Sequence, residues 1–347
     1  MQSGAIDYNK ITQQNCWCVT DVVQAAGSKL IEYRSFLNTD PPLLVDLWNR
    51  LPKVSGLVER TDYTTLERHV FAKPYFDREG FSIALEGGKI IGFAHAGFSP
   101  QESLAELDYQ TGVVSQLRLA PSVADGSVAN KLLTMSVDYC RGKGATSVHA
   151  GCFFPHSPFY LGLYGGSRLP GVIDQDELSL TGFKEFGFVE HDQIIILELQ
   201  LSELKSIMGR QQMSVRRNYL INATSDPLEQ SWWESCTLGV AGRERFTAIN
   251  KRSKEVSGTV SYWDMQPLSN SFSGKARGLY NLSIVEDLRR GGIATYLVGE
   301  SLKHLAKSDV TMVEAQTRSS DAASQALFEK LGFKKTSSGT LLSFSLR

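Results

Sequence analysis

Leu282-Ser283-Ile284-Val285-Glu286-Asp287-Leu288-Arg289-Arg290-Gly291-Gly292-Ile293-Ala294 is the stretch on which the reading of this chain turns. It reads as a strand, a tight turn and the first turn of a helix. Such a turn presents a run of unpaired backbone N–H groups at the positive end of a helix dipole, and two arginines stand beside them. That combination suits a pyrophosphate. The spacing does not match the dinucleotide pattern G-x-G-x-x-G.

Outward from this turn, one order of elements is read twice. In the first half, Leu30–Leu37 reads as a strand, and Thr39-Asp40-Pro41-Pro42 opens a helix carrying Leu43, Leu44, Leu47 and Trp48. Glu86-Gly87-Gly88 marks a hairpin between Phe81–Leu85 and Ile90–Ala96. A strand at Val113–Leu119, a helix at Ser127–Tyr139 and a strand at Ser147–Cys152 follow; a short helix then stops at Gly187, and Gln193–Leu199 closes the half. In the second half, strands are expected at Arg217–Ile221, Arg245–Asn250, Val256–Trp263 and Tyr280–Val285, with a helix at Ser231–Leu238. The turn, a helix at Ile293–Ala306, a strand at Val310–Thr317, a helix from Asp321 to a glycine stop at Gly332 and a closing strand at Leu341–Leu346 complete it. The polar stretch Leu201–Arg216 separates the halves.

The chain has 347 residues, enough for two domains, and 42% of them are hydrophobic, so a packed core is expected rather than disorder. Its 36 basic and 37 acidic residues leave a net charge of −1, which gives no sign of a nucleic-acid or membrane binder. The longest strongly apolar run, Ile194–Leu197, is far too short to span a bilayer, and Met1–Lys10 has no apolar signal core. An odd count of five cysteines without framework spacing favours a reducing, cytoplasmic setting. Cys16-Trp17-Cys18 is poor zinc spacing, and His149, Cys152 and His156 lack an evident fourth partner, so no metal is expected. Pro158–Ser167 is aromatic and glycine-rich, and reads either as packing between domains or as a pocket wall.

Two motifs in order carry a family likeness. Arg289-Arg290-Gly291-Gly292-Ile293-Ala294 and, a helix and a strand later, Ser324-Gln325-Ala326-Leu327-Phe328-Glu329-Lys330-Leu331-Gly332-Phe333 resemble the GCN5-related N-acetyltransferase (GNAT) superfamily. Its cofactor loop has the form R/Q-x-x-G-x-G/A, and its late helix often ends A-x-x-L-Y-E-K-L-G-F. The likeness covers residues 213–347 closely and 30–200 loosely, so the whole is similar to a tandem pair. The implied fold is α/β (α+β): two GNAT-like domains, each a mixed, mostly antiparallel sheet flanked by helices. Residues 1–29 are read as an extension, 30–205 as a degenerate domain and 213–347 as the domain with the acetyl-CoA site.

The resemblance implies transfer of an acetyl group from acetyl-CoA to a primary amine of a small molecule or peptide, by a monomer or homodimer. It places Leu282 and Ile284 beside the pantetheine arm, and Arg289, Arg290, Gly291, Gly292, Ile293, Ala294 and Thr295 around the pyrophosphate. A side chain at Gly292 is expected to block the phosphate. The resemblance sets Asp321 and Phe328 beside the cofactor on the late helix, where the residues alone also read as a helix N-cap and as core packing. The chain departs from the family there, because Phe328 replaces the usual tyrosine and cannot donate a proton to the leaving thiolate; Tyr280, Tyr262 or water is left for that role. Glu314 is the candidate base. In the first half the same register gives Ala124 for the arginine, Asp125 beside it and Ser127 for the glycine, so weak or no cofactor binding is expected there. A non-catalytic acyl-CoA sensor, or an acyl- or aminoacyl-transferase with another donor, remains a rival reading.

Overall fold

A computed structural model describes residues 21–23, 30–123, 126–205, 209–229, 231–238, 241–265 and 274–346. Cys16, Cys18, Ala124 and Asp125, singled out above, lie outside them. The first half runs β1 (Asp21–Val23), β2 (Ile31–Ser35), α1 (Pro41–Arg50), α2 (Tyr63–Leu66), β3 (Phe81–Glu86), β4 (Lys89–Pro100), β5 (Leu107–Leu119), α3 (Gly126–Gly142), β6 (Ser147–Ala150), β7 (Cys152–Phe153), β8 (Pro170–Ile173), α4 (Glu177–Phe186) and β9 (Val189–Gln200). The second runs α5 (Arg210–Asn218), β10 (Tyr219–Ser225), α6 (Trp232–Leu238), β11 (Arg243–Asn250), β12 (Val256–Asp264), β13 (Lys275–Ile284), α7 (Ile293–Ala306), β14 (Val310–Arg318), α8 (Ala322–Leu331) and β15 (Lys334–Ser345). The strand expected at Arg217–Ile221 begins only at Tyr219, because Arg210–Asn218 is helical and buries Val215.

Local signals recur at matched places. Helices α4 and α8 both end on a left-handed glycine, Gly187 (φ 110°) and Gly332 (φ 100°). In each, the phenylalanine after the glycine donates its N–H five residues back, Phe188 to Phe183 O and Phe333 to Phe328 O, both at 3.0 Å. This paired closure satisfies the last helical carbonyls and turns the chain into the next strand. Helix α7 buries Ile293, Leu297, Val298, Leu302 and Leu305, the apolar stripe of a half-buried helix.

The strands join into one sheet in the order β1-β2-β3-β4-β5-β6-β15-β9-β14-β13-β12-β11-β10. Most neighbours are antiparallel; β5–β6 and β13–β14 are parallel. The closing strands are exchanged. The last strand of the second half, β15, enters between β6 and β9, and the last strand of the first half, β9, enters between β15 and β14. Each half is completed by a strand of the other, so the two are bound by backbone hydrogen bonds as well as by packing. Helices α3 and α4 cover one face of the first half, and α7 and α8 cover a face of the second. On the remaining face, Phe159, Tyr160, Leu163 and Tyr164 of the first half share a core with Trp263, Met265, Tyr280 and Met312 of the second.

Candidate functional site

In the second half β13 and β14 pair from Lys275↔Val310 to Gly278↔Glu314 and then part. A bulge forms just beyond, where β12 pairs Thr259 with Ser283 but Ser261 with Tyr280, leaving an extra residue in β13. Asn281 lies there at φ 50°, an unusual conformation for a residue with a side chain. The parted strands open a cleft of about 570 Å³ lined on one side by Leu279–Ser283, on the other by Gln316, Thr317 and Arg318, and at its mouth by Asp321, Ser324 and Phe328 of α8. Leu279 belongs to the core under α7, whereas Tyr280 belongs to the core shared with the first half, so the cleft passes through the sheet.

The phosphate-type turn stands at the end of β13. Leu288 N–H bonds Val285 O, Arg289 N–H bonds Glu286 O, and both Arg290 (φ 61°) and Gly292 (φ 85°) are left-handed. Tyr296 N–H donates to Gly292 O at 3.1 Å, which makes Gly292 the cap and leaves the N–H groups of Ile293, Ala294 and Thr295 at the open start of α7. A side chain at Gly292 would point at Gln211 and Gln212 of α5, 3.0 and 3.1 Å away. The left-handed backbone by itself favours the glycine, and the two glutamine side chains would have to shift for any other residue. Arg289 donates to Ile284 O at 3.3 Å and is largely exposed.

Asp321 caps α8, accepting from Ser324 N–H at 3.0 Å, and these hydrogen bonds hold its carboxyl below the usual range against the opposing effect of desolvation. Phe328 is buried against Phe333 and lines the cleft. Glu314 is buried. It accepts from Ser167 N–H at 2.7 Å and Gln316 Nε2 at 3.0 Å, and faces a separate cavity under residues 53–59 together with Glu198. Desolvation pushes it up to about 7. Of the two tyrosines proposed as acids, Tyr262 is turned to α7, its hydroxyl 2.6 Å from Ser301 Oγ. Tyr280 lines the cleft, and burial raises its pKa.

A second chamber, about 200 Å³, adjoins the cleft, and Phe154, Arg168, Tyr280 and Asn281 line both. The first half supplies the Pro158–Ser167 segment, from which Leu161 and Ser167 wall the chamber, so this stretch packs between the halves and lines a pocket at once. Helix α6 adds Trp233, Glu234 and Leu238. Arg168 and Glu234 went unmarked in the sequence because each is a single charge in a stretch without periodic signal. Of His149, Cys152 and His156, two are engaged otherwise: His156 Nδ1 lies 2.6 Å from Ser99 Oγ, and the Cys152 thiol, pushed up to about 12 by burial, contacts Ser115 O; His149 packs its ring against His156 and Phe153.

In the first half the matching strands part after Val114↔Ala150, with the bulge at Ser115. Here the chain fills the gap itself. Gly151 N–H bonds Val114 O at 2.8 Å, Cys152 Sγ lies 3.9 Å from Ser115 O, and Ser179 Oγ bonds Leu117 O at 2.6 Å. Arg118 is buried beneath Trp48 and Tyr164 and pairs with Asp176 at 2.8 Å.

Two segments of the sequence, residues 45–164 and 213–333, match the Acetyltransferase (GNAT) family. The chain belongs to the GNAT family. The two matches fall one in each half, and this tandem GNAT protein has solved relatives in fold. The GCN5-related glucosamine N-acetyltransferase region of a fungal multi-domain GH3 β-N-acetylglucosaminidase superposes with a TM-score of 0.63 at 14% identity; the match covers 93% of this chain and 39% of that longer protein. A tandem GNAT protein from the clavulanic acid biosynthesis pathway gives 0.61 at 12% identity, covering 91% and 98%. A GCN5-related N-acetyltransferase from Sphaerobacter thermophilus gives 0.59 at 12%, covering 91% and 96%. At these identities the likeness is one of fold. No curated protein matches the tandem GNAT chain by sequence. Among the described residues no helix is long and apolar enough to cross a membrane. Family membership indicates an acyltransferase.

Proposed function

We propose that the second half takes acetyl-CoA into the through-sheet cleft and transfers its acetyl group to a primary amine seated in the chamber between the halves. One observation carries this: the open cleft of the second half meets the chamber at Arg168, Tyr280 and Asn281. The cofactor fits the residues present. The turn at Arg290–Thr295 offers N–H groups for the diphosphate, and the edge of β13 around Leu282 offers peptide groups for the pantetheine amides. Three charged hydrogen bonds at about 1.5–3 kcal/mol each reach the gross size of micromolar binding, about 8 kcal/mol, before association entropy is subtracted. Cleft contacts must therefore add to the turn.

Tyr280 is the proton donor in this reading. Desolvation first, and then the charge of Glu234, keep its phenol protonated through the neutral range, ready to give a proton to the thiolate as the C–S bond breaks. Glu234 faces the chamber and holds the acceptor ammonium before its proton is lost to water. Glu314, held by Ser167 and Gln316, fixes the Gly165–Leu169 segment rather than touching the acceptor. Gly166 leaves it room, since a side chain there would collide with its carboxylate. The free thiols of Cys140, Cys152 and Cys236 accord with a cytoplasmic setting.

Release of free thiol from acetyl-CoA, followed with a panel of amines and full-length protein, tests the reading. Amine-dependent release, lowered at least ~10-fold in Tyr280→Phe, is expected for a proton donor. Binding of acetyl-CoA by calorimetry with no release for any amine favours a sensor and overturns the transferase.

A further inference from the structure

Arg168 is a half-buried cation whose bonded partners are neutral. Its guanidinium donates to Asn281 Oδ1 at 2.6 Å and stacks over the Phe154 ring at 4.1 Å. Its main chain is pinned as well, because Arg168 O accepts from Gln316 Nε2 at 2.8 Å and from Gly166 N–H at 2.9 Å. Among the described residues no carboxylate lies within ion-pairing distance of it, although a cation drawn partly out of water is better placed with a counter-charge. Desolvation pulls its pKa down to about 10, with Tyr280 and Glu234 opposing that fall from a distance. A guanidinium has five N–H donors in a planar fork that matches a carboxylate, and the bond to Asn281 uses one.

We propose that the chamber selects an acceptor bearing a carboxylate as well as its amine, with Arg168 receiving the carboxylate and Glu234 the ammonium. This rests on the transferase reading above. The donor cannot supply the missing anion: its phosphates belong at the turn around Gly292, at the far end of β13, and the arm that reaches Arg168 is uncharged. The anion must come with the acceptor. The two charged residues stand on different halves of the molecule and line one chamber whose other walls include Leu161, Leu169, Trp233 and Leu238. At about 200 Å³ it lies below the usual range of small-molecule pockets, about 300–1,000 Å³, which suits a compact zwitterion of amino-acid size.

The experiment compares each common amino acid, and 4-aminobutyrate, with the amine left when its carboxylate is removed, in acetyl-CoA thiol release by the full-length protein. The best carboxylate-bearing acceptor is expected to exceed its partner about 100-fold in kcat/KM. Arg168→Gln should bring that ratio below ~5-fold, and Arg168→Lys, which keeps the charge but not the fork, should leave an intermediate ratio. Because the readout is a ratio within one variant, partial misfolding or weaker donor binding cancels. Equal or better use of the decarboxylated amines, or an unchanged ratio in Arg168→Gln, overturns the inference while the transferase stands. Absence of release with every amine takes down both.

Discussion

The two places where the sheet parts share one plan and opposite contents. After Val114 and Ala150 the chain closes its own gap, with donors on the carbonyls of Val114, Ser115 and Leu117 and a buried Arg118–Asp176 pair. After Gly278 and Glu314 it leaves a cleft of about 570 Å³ edged by Leu279–Ser283. In the first opening the chain's own groups engage these carbonyls and fill the space a ligand would need, so that opening is structural, whereas the second keeps its cleft open. The helix N-caps make the same point. Asp176 and Asp321 occupy equivalent positions before α4 and α8, yet Asp176 leaves its cap to bind Arg118, while Asp321 caps Ser324 at the mouth of the cleft.

Gly292→Val carries the largest expected effect. Its left-handed conformation strains a branched side chain, and Gln211 and Gln212 would have to move aside for one. With the turn displaced, acetyl-CoA affinity should fall by ~1,000-fold or more, about 4 kcal/mol. Ser127→Val, at the corresponding place in the first half, should leave affinity unchanged. Calorimetry on the full chain is the right measurement, because the exchange of β9 and β15 leaves neither half with its own sheet complete. Equal losses in the two variants would break the distinction between the halves.

Asp176→Ala comes next. It strands the Arg118 guanidinium in the closed gap and should cost about 3–5 kcal/mol of stability by urea unfolding, as breaking one side of a buried ion pair does. Acetyl-CoA affinity at the second cleft should be unaffected. A loss under 1 kcal/mol (about one-third or less of that expected) would mean that the filling of the first gap is not held by this pair.

The root of each opening also differs: Ala150 in the first, Glu314 in the second. Glu314 is raised from 4.5 to about 7 by desolvation, so the folded protein keeps its proton where the unfolded chain has released it. The contribution of this group is full below pH 4.5, falls as pH rises from 4.5 to about 7, and is flat above. Glu314→Gln keeps the acceptor for Ser167 N–H without the charge. Its stability relative to wild type should climb across that window by up to roughly 3 kcal/mol. Differencing against wild type removes the opposite trend of His149, which burial lowers to about 4. A pH-independent difference would show that Glu314 is ionised in the fold.

Much of this contrast could be read from the chain. The glycine stops at Gly187 and Gly332, the hairpin at Gly87-Gly88 and the turn at Arg289–Gly292 are local signals whose chemistry needs no knowledge of the rest of the molecule. The exchange of β9 and β15 was hidden, since alternating apolar strands specify a buried face and not a neighbour. Helix α5 was hidden because Arg210–Asn218 is polar on most sides and is held by its contact with α7. Arg168 and Asn281 are 113 positions apart, and only the folded sheet brings them together. The neighbours of Gly292 were hidden for the same cause: Gln211 and Gln212, which stand beside it, come from a helix the sequence did not announce.

The smallest expected effect sharpens the pair of N-caps. Asp321→Ala removes an exposed side chain that accepts from Ser324 N–H at 3.0 Å, and should cost about 1 kcal/mol. Asp176→Ala, at the equivalent position, should cost several times more, because it uncovers a charge rather than an N–H. The carboxyl of Asp321 is lowered by these bonds, so its contribution is present above the ordinary aspartate range and is lost as pH falls through its folded value. Urea unfolding of the two variants side by side at neutral pH gives the ratio directly. Near-equal losses would mean that the Arg118–Asp176 pair adds little, and that the first opening is closed by α4 and its Ser179 rather than by the ion pair beneath them.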